Sequence, residues 1–273
     1  VDYDNVFNHF YHGSFLNWIF MWMVARATMK VSIIMSCTDR LTNLKRTLTS
    51  WSKITYPDYE FLLIDNGSKN YDGVRELSRG LLGVIPIPYP HMGVNKIWNE
   101  YGRFSDGEYV IFAMADEILS DYDIVQKMVA YGEQRCTLNA YFLGAALTDA
   151  LDTIDWENNP RLIESLPGFG EFEYQNKPNR ERTDASLLSH IIGWTRERWD
   201  WFGWFRNNDR GHLWLDQDVV IRSNVLGIKS QTLNSCYHQW HEQIVYPEWL
   251  APGYHPVNER QARLLEESER DKS

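Results

Sequence analysis

Cysteine is scarce in this chain of 273 residues: Cys37, Cys136 and Cys236 are odd in number and widely spaced. Such a set argues against a disulfide framework and for a reducing, cytoplasmic setting. Neither Cys-x-x-Cys nor His-Glu-x-x-His occurs, which disfavours a structural zinc or a zinc protease. Positive charge is also short, with 27 Lys and Arg against 37 Asp and Glu and a net charge of −10. A protein that grips a nucleic-acid backbone ordinarily carries a basic surplus, so nucleic-acid binding is disfavoured. Long apolar runs are missing too. The longest, Phe15 to Val24, covers about ten residues, well short of the roughly 20 that cross a bilayer. No basic segment precedes it to make a signal peptide. Finally, there is no Gly-x-Gly-x-x-Gly and no Walker sequence, so the first strand announces neither a dinucleotide nor a P-loop phosphate site.

What is present is enough apolar material, 44% of the chain, to bury one large α/β core. Lys30 to Arg40 reads as a buried strand running into a polar loop, and a helix follows from about Leu41 to Trp51. A second strand, Glu60 to Ile64, ends in the turn-forming cluster Asp65-Asn66-Gly67-Ser68. This strand–helix–strand start predicts a mostly parallel, Rossmann-like sheet flanked by helices, with ligands at the carboxyl ends of the strands. The apolar run Tyr109 to Ala113 leads directly into Met114-Ala115-Asp116-Glu117. Carboxylates at the end of a buried strand suit a divalent cation at that edge; they also suit a turn or a helix cap.

Three segments complete the expected organisation. Residues 1–28 form an N-terminal helical extension, whose stretch 15–24, with Trp18 and Trp22, reads as a packed helix or as an interfacial membrane anchor. Position 1 is Val and Met29 precedes the first strand, so the natural start is read as either upstream or at Met29. The main domain spans 29–250, divided into a nucleotide-binding half, 29–120, and an acceptor and catalytic half, 121–250. Residues 251–273 read as a charged tail. Within the second half, Asp152 to Ser186 reads as a long irregular insertion, an acceptor-site flap. Its aromatics Trp156, Phe169, Phe172 and Tyr174, with Trp199, Trp201 and Trp204, are expected either to fill the core or to offer stacking platforms for sugar rings.

An ordered series of segments resembles the family 2 glycosyltransferases of the GT-A fold. It comprises Val31-Ser32-Ile33-Ile34, Leu63-Ile64-Asp65-Asn66-Gly67-Ser68, Gly93 to Asn99, and Gly107-Glu108-Tyr109-Val110-Ile111-Phe112 leading to Asp116. The resemblance covers about Lys30 to Gln243. It implies that Asp65 hydrogen-bonds the base of a nucleotide, usually uracil, and that Ser36 lines the same pocket. It sets Asp116 on the second aspartate of the family's Asp-x-Asp motif, the one that touches the metal, while Met114 replaces the first. Lys96 and Arg103 are the basic candidates for the donor phosphates.

Further along, Leu215-Asp216-Gln217-Asp218, followed by Arg222, resembles the family's Glu-Asp-x-Asp region. The resemblance sets Asp216 on the catalytic base of inverting members; the structural alternative is that Asp216 and Asp218 cap a helix. In Cys236-Tyr237-His238-Gln239-Trp240-His241, His238 or His241 is the candidate to complete a metal shell. The implied function is metal-assisted (Mn²⁺ or Mg²⁺), inverting transfer of a sugar from a nucleotide-sugar donor, expected to be a UDP-sugar. The acceptor is a hydroxyl of a glycan or lipid-linked sugar. Two alternatives stand beside it: glycosylation of hydroxymethylated bases in phage DNA, and a nucleotide-sugar-binding protein that has lost activity, for which Met114 is the motive.

Overall fold

A computed structural model describes residues 29–90, 93–169, 189–206, 219, 222–223 and 225–240. The N-terminal extension, residues 170–188 of the insertion and the charged tail lie outside the described residues.

Eight strands form one sheet in the order β3-β2-β1-β4-β7-β6-β8-β5. They are β1 (Val31–Cys37), β2 (Tyr59–Asn66), β3 (Ile87–Tyr89), β4 (Tyr109–Met114), β5 (Glu117–Leu119), β6 (Arg135–Phe142), β7 (Ser189–Thr195) and β8 (Ser230–His238). Four of the seven pairings are parallel, β1–β2, β1–β4, β2–β3 and β6–β8; the other three are antiparallel. The helices are α1 (Leu41–Trp51), α2 (Tyr71–Leu82), α3 (Val94–Phe104), α4 (Ile124–Ala130), α5 (Ala145–Ala150) and α6 (Arg196–Phe202).

Both faces of the sheet are covered, which explains why its central strands are continuously apolar rather than alternating. Ile33, Met35, Leu63, Ile111 and Ala113 point to one face, where α1 brings Leu44, Leu48 and Trp51 at helical spacing. Ile34, Ile64, Val110 and Phe112 point to the other, against Ile97 and Trp98 of α3 and against Trp194, Trp199, Trp204 and Phe205. A third, smaller cluster joins Leu143, Leu147, Leu151, Trp156, Ile163 and Leu166 to Ile118 and Tyr237. Residues 152–169 of the expected flap are thus packed through short helical turns, not loose, because Trp156 and Ile163 are apolar anchors buried at 3% and 0% exposure.

Strand direction decides what meets at the carboxyl edge. β6 and β8 run the same way as β1–β4, since two antiparallel steps through β7 restore the direction. The end of β8, His238, therefore emerges at the same edge of the sheet as the ends of β1, β2 and β4. β5 runs back antiparallel to β8 and begins at that same edge, with Glu117 opposite His238.

Candidate active site

The site is built from three strand ends. β1 ends at Cys37, whose register partner is Asp65 near the end of β2; Ser36 sits one residue earlier, flanked by Ile64 and Met114. Asp65 is 2% exposed. Its carboxylate accepts the backbone N–H of Ser68 at 3.2 Å and faces the Cys37 thiol at 4.0 Å. Burial, with the Asp65 and Asp39 carboxylates nearby, raises that thiol well above its ordinary range.

After β4 the chain turns sharply through Ala115 and Asp116 and enters β5. Asp116, Glu117 and His238 come together with one ligand atom of each within 4.8 Å of the others. His238 Nδ1 lies 2.8 Å from Glu117 Oε1 and 3.7 Å from Asp116 Oδ1. Glu117 is wholly buried and also takes a hydrogen bond from the Cys236 thiol. Burial first, and then Glu117 and Asp116, push that thiol far above its ordinary range. Because an ionised carboxylate can only accept, Nδ1 of the imidazole carries its hydrogen toward Glu117. The end of β8 is pinned by the next residue: Gln239 N–H donates to the Asp116 carbonyl, and its side-chain amide donates to Asn43 and Thr47 of α1.

On the other side of Asp116 stands Arg40, with Nη1 3.5 Å from Oδ2. Arg40 is the residue preceding α1, and both it and Asp39 have left-handed backbones, φ 53 and φ 46. Such a conformation costs roughly 1–2 kcal/mol for a residue with a side chain, and strain of this kind clusters at functional sites. Sequence reasoning passed over Arg40. A basic residue at a helix N-terminus opposes the helix dipole, and that misfit was the available signal.

Lys96 lies in the first turn of α3, half-buried, and makes no ion pair among the described residues. Arg103 lies in the last turn of the same helix, about 10 Å further along its axis, and its guanidinium sits over Trp204. It is at the opposite edge of the sheet from Asp116, so it cannot meet phosphates bound there. Arg222 is buried and donates to the carbonyls of Phe202 and Trp204, anchoring the segment after α6. Trp156, Trp199 and Trp204 are core, at 3%, 0% and 2% exposure, and cannot be sugar platforms; Trp201, at 58%, remains open. Asp216, Asp218 and His241 lie outside the described residues, as do Phe172 and Tyr174.

The sequence model of glycosyl transferase family 2 matches residues 32–192, more than half of the chain. The chain belongs to this family. Its sheet has the GT-A form. No curated protein matches the chain in sequence. Among solved structures it is similar to the mannosyltransferase PcManGT from Pyrobaculum calidifontis in complex with GDP-Man and Mn²⁺, with a TM-score of 0.53 and 15% identity. That match covers 78% of this chain and 58% of the other. TarS of S. aureus in complex with UDP-GlcNAc gives a TM-score of 0.59 at 13% identity, covering 88% and 66%. Glucosyl-3-phosphoglycerate synthase from Mycobacterium tuberculosis, in complex with Mn²⁺, UDP and glucosyl-3-phosphoglycerate, gives 0.51 at 14%, covering 90% and 80%. At such identities the likeness is one of fold. The chain spans less than two thirds of the length of the first two.

Proposed function

We propose that the protein moves a sugar from a nucleoside-diphosphate donor, a UDP-sugar, to an acceptor hydroxyl on a glycan or lipid-linked sugar, with inversion at the anomeric carbon. The observation that carries this reading is the meeting of Asp116 and His238 at the carboxyl edge, beside the loop from Asp65 to Asn70. An open α/β sheet binds its ligands there.

The donor set suits a divalent cation such as Mn²⁺ or Mg²⁺. Asp116 and His238 bring a carboxylate and an imidazole to one place, and oxygen with imidazole is a set that a first-row divalent ion accepts. Asp116 would hold the ion together with Nε2 of His238, while Glu117 on Nδ1 orients the imidazole. When bound, such an ion supplies charge compensation for the departing diphosphate.

The rest belongs to the chain's own groups. Asp65, assigned to the base of the nucleotide, is held in a fixed orientation by the Ser68 backbone at one oxygen and the Cys37 thiol at the other, and a remaining lone pair of its carboxylate is what an N–H of a pyrimidine edge would use. Ser36 lies at the neighbouring strand end. Asp216 takes the proton of the acceptor hydroxyl as that oxygen attacks the anomeric carbon in line with the departing diphosphate. Here the buried Arg222 contributes indirectly, since it fastens the polypeptide that follows Asp216 to α6.

Turnover tests the assignment of the base. Replacing Asp216 with Asn removes the proton acceptor while keeping the shape, so transfer and donor hydrolysis should fall by at least roughly 10²-fold, with UDP affinity retained. An active Asp216→Asn variant would contradict that assignment. A wild-type protein that binds UDP but never turns it over, under acceptor screening that includes hydroxymethylated DNA, would favour a protein that has lost activity.

A further inference from the structure

Arg40 is the group beside Asp116 that the donor-site reading leaves without a task. Its strained backbone is imposed from the neighbouring loop. Ser68 Oγ accepts the Asp39 N–H at 2.6 Å, Asp39 Oδ1 accepts the Asn70 N–H at 3.2 Å, and Ser68 N–H donates to Asp65. One connected set of hydrogen bonds thus runs from Asp65 to the residue before Arg40. Its effect is to carry the guanidinium to one oxygen of Asp116 while His238 faces the other. The Arg40 side chain is 29% exposed, against 12% for that of Asp116, so an incoming ligand meets Arg40 first.

We infer that Arg40 is a donor-binding residue whose guanidinium exchanges the Asp116 carboxylate for the diphosphate of the donor. The inference rests on the donor-site reading above. A planar guanidinium matches phosphate oxygens in geometry and charge. In the ligand-free protein the same group neutralises Asp116 and competes with any cation for it. With a cation at Asp116 the guanidinium would be repelled from that carboxylate and left to the negative charge entering with the donor. The demand on Arg40 is increased by Met114, which stands where the resemblance expects an acidic residue. Arg103 is at the far edge, and Lys96 makes no ion pair among the described residues.

This exchange has consequences of opposite sign, which a merely structural role does not produce. Arg40→Gly is the informative variant, because glycine adopts the left-handed backbone freely and the loop keeps its shape. The full chain, wild type and Arg40→Gly, is titrated with Mn²⁺ alone and with UDP in Mn²⁺ by calorimetry, and with uridine by ligand-observed NMR. The inference requires Arg40→Gly to bind Mn²⁺ alone more tightly, to bind UDP on the order of ten- to hundredfold more weakly, and to bind uridine unchanged. Unchanged UDP affinity overturns it, as does an equal loss for UDP and uridine, which would make Arg40 a loop-shaping residue. Wild-type protein that binds neither UDP nor uridine overturns the donor-site reading and this inference with it.

Discussion

Glu117 shows at the residue scale how the site is held. It is wholly buried, with His238 on one side and the Cys236 thiol on the other. A buried carboxylate without such partners would cost several kcal/mol, so its presence in the core needs a reason. Orienting an imidazole and raising its basicity is one, and partners of this kind ordinarily change metal affinity 10- to 100-fold when removed. Glu117→Gln keeps the volume, and its amide oxygen can still accept from Nδ1, but the charge is gone. Mn²⁺ affinity, followed by electron paramagnetic resonance, should weaken by roughly tenfold with the fold retained by circular dichroism. Unchanged affinity would reduce Glu117 to a packing group.

At the scale of elements, the approach of the segment before β4 to β1 decides whether the carboxyl edge is aligned at all. Gly107 donates its N–H to Ser32 Oγ at 2.7 Å, and a Cβ there would lie 2.3 Å from the Ser32 nitrogen, a backbone atom that cannot step aside. Gly107→Ala should therefore cost about 1–3 kcal/mol and lower Tm by roughly 2–10 °C. Gly80, in the exposed part of α2, meets nothing within 4 Å, so Gly80→Ala should raise Tm, since alanine is the better helix former by about 1 kcal/mol. Thermal unfolding of both variants checks the pair; a tolerated Gly107→Ala would mean that the β1–β4 contact is looser than described. Much at this scale was legible in the sequence. The helix expected from Leu41 to Trp51 has those bounds, and the runs at Val31, Phe61 and Tyr109 became β1, β2 and β4, because length and flanking turn residues separate buried strands from helices. The position of β5 was not legible. A three-residue strand carries no periodicity, and its pairing with β8, more than a hundred residues later, is a tertiary choice.

For the whole molecule, the same distinction separates what the sequence revealed about the site from what it did not. Asp116 and His238 are candidates from residue type, position at strand ends and the family resemblance, and the fold brings them together. Arg40 and the buried tryptophans could not, since a guanidinium's direction and a ring's exposure depend on how loops and layers pack. None of the three cysteines is in a disulfide and all are buried, and no described helix is long and apolar enough to cross a membrane. With a net charge of −10, the proposed function asks for positive charge concentrated at the diphosphate, which the proposal assigns to a cation at Asp116 and to Arg40 beside it. On this reading one edge of the sheet binds a nucleoside diphosphate with a divalent ion through Asp116. Calorimetric titration of UDP, GDP and CDP in Mn²⁺ and in EDTA, into wild type and Asp116→Ala, puts that to the test. UDP should bind in Mn²⁺, with binding lost both in EDTA and in the variant; absence of binding by all three nucleotides, or UDP binding that Asp116→Ala leaves intact, would overturn the reading.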